Sequence, residues 1–168
     1  MQPGEELYRE WLKKCTSYKD VTDWLARNFI YSQARLYLSQ LRVKQKLFRL
    51  TSFYPWETFI LKSGICFDAS VFCKYSLNEI DKSYQAELIY ILIEKDVMSH
   101  YTCGFFLDSK LFVADYGTTC LTTKGTSGPF SSLDEYVNDF FLKRHTSFNK
   151  AQAYHFGWPA WRKCTEIF

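Results

Sequence analysis

Three residues in this chain carry groups that cooperate in thiol chemistry, and they occur in the order Cys, His, Asp. Cys66 follows Gly64 and Ile65 at the mouth of an apolar segment. His100 lies in Ser99-His100-Tyr101, and Asp115 in Val113-Ala114-Asp115-Tyr116-Gly117. A thiolate attacks a carbonyl, an imidazole takes and returns the proton, and a carboxylate holds the imidazole in orientation. Order alone is a weak signal, so the weight of the trio depends on the elements that carry it.

From Cys66 to about Leu77 the chain is apolar on more than one face, as expected of a helix clasped on several sides. Cys66 then stands in a first helical turn, where unpaired N–H groups and the helix dipole favour a thiolate. Ala86 to Glu94 is a β-branched-rich run of strand length. Its unbroken apolar centre predicts burial on both faces and a place as the middle strand. His100 to Leu107 and Leu111 to Tyr116 read as two more strands joined at Asp108-Ser109-Lys110, a hairpin of an antiparallel sheet. A two-residue turn at Asp108-Ser109 would set Leu107 opposite Lys110 and Thr102 opposite Asp115. His100 and Asp115 would then be same-face diagonal neighbours, roughly 7 to 8 Å apart at the backbone. An odd-numbered loop would put them on opposite faces.

The flanking segments supply the frame. Residues 5 to 15 place Leu7, Tyr8, Trp11, Leu12 and Cys15 on one helical stripe, and Asp20 opens a second helix carrying Val21, Trp24 and Leu25. A third helical pattern runs from about Gln33 to Phe48, with Ala34, Tyr37, Leu38 and Leu41 at core spacing. Its five basic residues (Arg35, Arg42, Lys44, Lys46, Arg49), with no acidic one between Ser32 and Ser52, read as a solvated face, with an acidic partner as the alternative. Tyr54-Pro55-Trp56-Glu57 interrupts the pattern, and Ser63-Gly64 punctuates it before Cys66. Thr118 to Pro129, rich in Thr, Gly and Ser, reads as a loop beside the site. Ser132-Leu133-Asp134-Glu135 is a capping box opening a helix that carries Tyr136, Val137, Phe140 and Phe141 and ends at Lys143-Arg144-His145. The aromatic tail from Tyr154 to Trp161 reads as core closure, with a partner contact or a cleft wall as the alternatives.

Composition bounds the class. With 168 residues, 47% hydrophobic and 19% aromatic, the chain suffices for one well-packed domain without metal or disulfide staples. The net charge of +3 is too small to imply nucleic acid or a membrane surface as partner. The first residues, Met1-Gln2-Pro3-Gly4-Glu5-Glu6, show neither a basic region nor an apolar one of the kind that directs secretion. The longest dense apolar run, Leu88 to Ile93, is strand-sized. Six cysteines without a CxxC pair fit reduced thiols and a cytoplasmic location. Apart from Cys66 they are expected to be structural. A zinc site from Cys66, His100, Cys103 and Cys120 is the metal alternative, but it has no familiar spacing, and Cys103 should face away from His100 on an extended strand.

Pro55-Trp56-Glu57-Thr58 and Gly64-Ile65-Cys66-Phe67-Asp68-Ala69 together resemble the cysteine motif of the transglutaminase-like superfamily of cysteine hydrolases and transferases. His100 and Asp115 match its other two motifs, and Val21 to Tyr31 is similar to its upstream helix ending in a tyrosine. The resemblance implies an α+β, papain-like fold, with N-terminal helices and a central cysteine-bearing helix packed on an antiparallel sheet. It implies a core over 20–117, preceded by an N-terminal helix in 1–19 and followed by a loop, a helix and an aromatic tail in 118–168. Carried onto these positions, Cys66 would be the nucleophile, His100 the general base and later acid, and Asp115 the orienting carboxylate. The chemistry implied is acyl transfer on amide bonds of a peptide or protein substrate, without a cofactor. An oxyanion hole needs the Cys66 N–H and a side-chain donor, for which Tyr31 and Trp56 are candidates. The sequence shows no calcium-ligand cluster of the kind crosslinking members use, which favours hydrolysis, as a cysteine protease or amidase. A crosslinking transferase and an inactive binding module of the same fold stay open.

Overall fold

The computed structural model describes residues 2–44, 52–93, 98–144 and 151–156. Helix α1 (Pro3–Leu12) begins with proline at its first position and with Glu5 and Glu6 in its first turn, where a missing N–H and negative charge are both favourable. Helix α2 (Tyr18–Asn28) is capped by Asp20, whose carboxylate accepts the Thr16 and Ser17 N–H groups at 2.7 and 2.9 Å. The helix therefore starts two residues before Asp20. A short parallel pair, β1 (Ile30–Tyr31) with β2 (Ser63–Gly64), encloses α3 (Gln33–Lys44) and α4 (Pro55–Leu61).

Two of these elements depart from the sequence reading. Tyr54 is extended, as the break before Pro55 predicts, but Pro55 also opens a helix absent from that reading, since at the first position its ring is pre-set and its missing N–H costs nothing. Helix α3 is rotated relative to its apolar stripe: Tyr37 and Leu38 are exposed, whereas Arg35 and Leu36 turn inward. An ion pair made by Arg35 sets that rotation, so Arg35 is not part of a solvated basic face. The remainder of the predicted third helix, 45–48, lies outside the described residues, as do Lys46 and Arg49.

Helix α5 (Cys66–Ile80) is central, with ten of its residues buried. It lies on a five-stranded antiparallel sheet of β3 (Glu87–Ile93), β4 (Met98–Leu107), β5 (Lys110–Asp115), β6 (Gly125–Phe130) and β7 (Ala151–Phe156), in the order β6-β5-β4-β3-β7. Strand β3 is paired on both sides, which explains its continuous apolar run, but β4 is the middle strand. The tail read as core closure supplies β7 through Phe156; residues 157–161 lie outside the described set. The segment read as a loop supplies the edge strand β6. Its Gly125 and Gly128 sit at φ 131° and 137° and a register shift interrupts its pairing, so composition hides a strand that only an edge can tolerate.

The sheet has two apolar faces. Phe72, Cys73 and Leu77 of α5 meet Cys103, Phe105 and Ala114 on one of them, and an aromatic stack of Trp11, Trp24 and Phe59 continues from Phe72 outward. Full burial of side chains such as Phe72 and Leu77 contributes about 1.5–3 kcal/mol each. On the opposite face Ile89, Ile91, Leu111 and Val113 are covered by a helical segment built in three parts: α6 (Leu133–Glu135), a π-helical turn (Tyr136–Phe141) and α7 (Leu142–Arg144). Ser132 caps it by accepting the Glu135 N–H at 3.1 Å, while Glu135 takes the N–H of Ser131 at 2.6 Å. Among the described residues no helix is long and apolar enough to cross a membrane.

Candidate active site

Cys66 is the first residue of α5, after Ile65 at the cap position. Its backbone is anchored by Asp68, which is fully buried and saturated with donors. The Ile65 N–H reaches Asp68 Oδ2 at 2.8 Å and the Phe53 N–H reaches Oδ1 at 2.7 Å. Arg35 adds a two-pronged pair, Nε to Oδ2 at 2.6 Å and Nη2 to Oδ1 at 2.7 Å, with its guanidinium 3.6 Å from the centre of the Phe53 ring. One carboxylate thus ties α3, the segment before α4 and the start of α5 together beneath the thiol. Two glycines allow the close approach: a Cβ on Gly64 would lie 2.7 Å from Asp68 Oδ2, and a Cβ on Gly117 only 2.3 Å from the Cys66 Cα.

The second half of the site comes from the hairpin. Asp108 and Ser109 both adopt positive φ, 48° and 60°, the backbone of a two-residue turn whose twist matches the strands. The ladder then runs from Leu107 opposite Lys110 to Cys103 opposite Ala114. Continued by one step, it sets Thr102 opposite Asp115 and leaves His100 diagonal to it. The side chains bridge the gap: His100 Nε2 and Asp115 Oδ2 are 2.8 Å apart, with 14% and 3% of the two side chains exposed. Burial by itself pushes the imidazolium down. The Asp115 charge and hydrogen bond, reinforced by a hydrogen bond and charge interaction with Cys66, outweigh it and raise His100 to about 10. Phe141 stacks on the imidazole at 6.1 Å and 21°.

Cys66, His100 and Asp115 are therefore brought together. The end of β5 delivers both Asp115 and the Gly117 backbone that abuts Cys66. Tyr31 joins them: paired with Gly64 in the β1–β2 ladder, it is raised to about 12 by burial and by the nearby Cys66 and Asp68. Trp56 is stacked on Tyr54 at 6.0 Å and faces Gly4 of α1. Cys103 is on the sheet face under α5 beside Cys73, and burial followed by that thiol's hydrogen bond pushes it up. Cys120 bonds Thr122 in the loop after β5. Among the described residues no group of three or more His, Cys, Asp or Glu is disposed to hold a metal ion. Five cysteines (Cys15, Cys66, Cys73, Cys103, Cys120) are free thiols.

The arrangement contains members that the catalytic pattern alone does not point to. Asp68 had a local signal, since a carboxylate three residues after a cap position is half of a capping box. Arg35 had none, being 33 residues from its partner, and Phe141 reaches His100 only through the tertiary packing of the π-helical turn.

The chain belongs to a family defined by a transglutaminase-like domain, whose model matches residues 5–146. No curated protein sequence matches it. Among solved structures, a crystal structure of a TGase is similar over 83% of this chain and 37% of its own length, at 13% identity and a TM-score of 0.44. The chain thus spans well under half of that protein.

Proposed function

We propose that this domain catalyses thiol-dependent acyl transfer on amide bonds, with water as acceptor, as a cysteine protease or amidase. The observation that carries the reading is His100 held between Asp115, 2.8 Å from its Nε2, and the Cys66 thiol at the start of α5. In the first half-reaction sulfur adds to the amide carbonyl as the thiolate, its proton held by the imidazole nitrogen turned away from Asp115, in keeping with the raised His100. The tetrahedral oxyanion takes hydrogen bonds from the first-turn N–H of Cys66 and the Tyr31 hydroxyl. His100 returns the proton to nitrogen as the C–N bond breaks, leaving a thioester and a free amine. In the second half-reaction His100 takes a proton from water, hydroxide adds to the thioester, and the thiolate leaves while the imidazole keeps the proton for the next cycle. Asp115 keeps the ring in one tautomer and stabilises its cationic form throughout.

The test is labelling with iodoacetamide at neutral pH, followed residue by residue by mass spectrometry, in the parent, Cys66→Ser and His100→Ala. Selective modification of Cys66 that collapses in His100→Ala supports the reading. Equal modification of all accessible thiols, unchanged in His100→Ala, sinks it. Peptide-library cleavage and amine-incorporation assays then separate the hydrolase from a crosslinking transferase, and a binding module would show neither product.

A further inference from the structure

Among the described residues, two buried polar atoms on the far face of the sheet have no hydrogen-bond partner: Asp115 Oδ1 and the Tyr136 hydroxyl. Buried oxygens are rarely left this way, because each then lacks the hydrogen bonds it makes in water. These two are complementary, one a carboxylate acceptor and the other a phenol donor. They also share surroundings. Along β5, Leu111, Val113 and Asp115 alternate onto the face that Tyr136 covers, and Tyr136 is packed with Leu111, Val113 and Phe141 in one apolar cluster. Burial, and after it the Asp115 charge, raise the phenol well above its usual range.

The backbone around Tyr136 is unusual in the same sense. Residues Tyr136–Phe141 form a π-helical turn, whose wider i to i+5 repeat brings Tyr136 and Phe141 towards a common face, with ring centres 6.1 Å apart. An α-helical repeat would separate them around the helix. With this turn Phe141 stacks on His100 while Tyr136 packs with Val113, which precedes Asp115 by two residues on the same face of β5.

We propose that Tyr136 is a positioning residue for the acyl-transfer site: its hydroxyl donates to Asp115 Oδ1, directly after a small side-chain rotation or through one bridging water. Oδ2 is thereby kept on His100 Nε2. This rests on the function proposed above for His100 and Asp115. A carboxylate held by one oxygen can swing about its terminal torsion; held by both, it offers the imidazole a single lone pair.

The experiment has two arms. Tyr136→Phe keeps the ring and removes only the donor, so Cys66 alkylation is expected to slow about tenfold with an unchanged far-UV circular dichroism spectrum. In an Asp115→Asn background the same change should add less than about twofold. Alkylation unchanged in Tyr136→Phe, or slowed equally in both backgrounds, overturns the proposal. The second arm reads the bond without catalysis. The exchange-protected Tyr136 hydroxyl proton, assigned in the NMR spectrum through a Tyr136-selective label, should resonate downfield and move upfield in Asp115→Asn. A resonance indifferent to Asp115 overturns the proposal even if Tyr136→Phe fails to fold. If instead Cys66 shows no selective reactivity in the parent while the hydroxyl resonance follows Asp115, the catalytic reading fails and the hydrogen bond stands.

Discussion

Arg35 grips Asp68 with two nitrogens at 2.6 and 2.7 Å, two residues beyond Cys66 in the first turn of α5. Asp68 is wholly buried, and Arg35 is 18% exposed. Removing one partner of such a pair strands the other charge in the interior, and breaking buried pairs costs about 3–5 kcal/mol. Arg35→Leu should therefore destabilise the fold by roughly that amount, measured by urea unfolding. Arg35→Lys should recover only part of the loss, because an ammonium cannot reproduce the planar two-pronged geometry. A loss below about 1 kcal/mol in Arg35→Leu would show that the pair behaves as an exposed one.

Gly117 should not accept a side chain. Its Cβ would fall 2.3 Å from the Cys66 Cα, a backbone atom at the start of a helix fixed by four donors on Asp68. Relief requires the end of β5 to move away from α5, carrying Asp115 with it. Gly117→Ala is expected to lower stability by about 1–3 kcal/mol and to slow Cys66 alkylation out of proportion to that loss. An alanine variant that alkylates at the parent rate would refute the close approach.

Stability should fall at alkaline pH through His100. Its folded value of about 10 lies above the ordinary range near 6.5, so the folded chain holds this proton more tightly than the unfolded chain. The stabilisation is fully present below about pH 6.5 and is lost as pH rises through about 10. Urea unfolding at pH 6 to 10 in the parent and His100→Gln isolates the contribution, since other titrating groups are common to both. A difference between the two proteins that stays constant across that window would contradict it.

Tyr31 and Trp56 should separate cleanly in kinetics. Tyr31 lies beside Cys66 and Asp68, where the proposed function has it meet the developing oxyanion, whereas Trp56 packs against α1. Tyr31→Phe is expected to lower kcat by about 10²-fold with little change in KM. Trp56→Phe should alter melting temperature more than turnover. Equal kinetic effects from both would remove Tyr31 from the oxyanion site.

Much of the arrangement is legible along the chain because it depends on local periodicity. Cys66 falls at a helix start because Ser63-Gly64 punctuates the chain and an apolar run follows. The diagonal relation of His100 and Asp115 follows from strand parity once the Asp108-Ser109 turn has two residues. Where reading by composition fails, a single context decides. Pro55 breaks a helix from within but starts one at its first position, and Gly125 and Gly128 suit a loop or an edge strand equally.

The sequence by itself determined where the central helix and the hairpin strands lie, the two registers open to that hairpin, and the three groups with their order. Only the tertiary structure decided which way α3 turns, because an apolar stripe of modest strength yields to a buried charge that must find its partner, and Arg35 finds Asp68 33 residues away. It alone decided that a π-helical turn brings Phe141 onto His100. Hydrophobic patterning reports which face of an element is buried, but it carries no information about which distant polar atoms meet there.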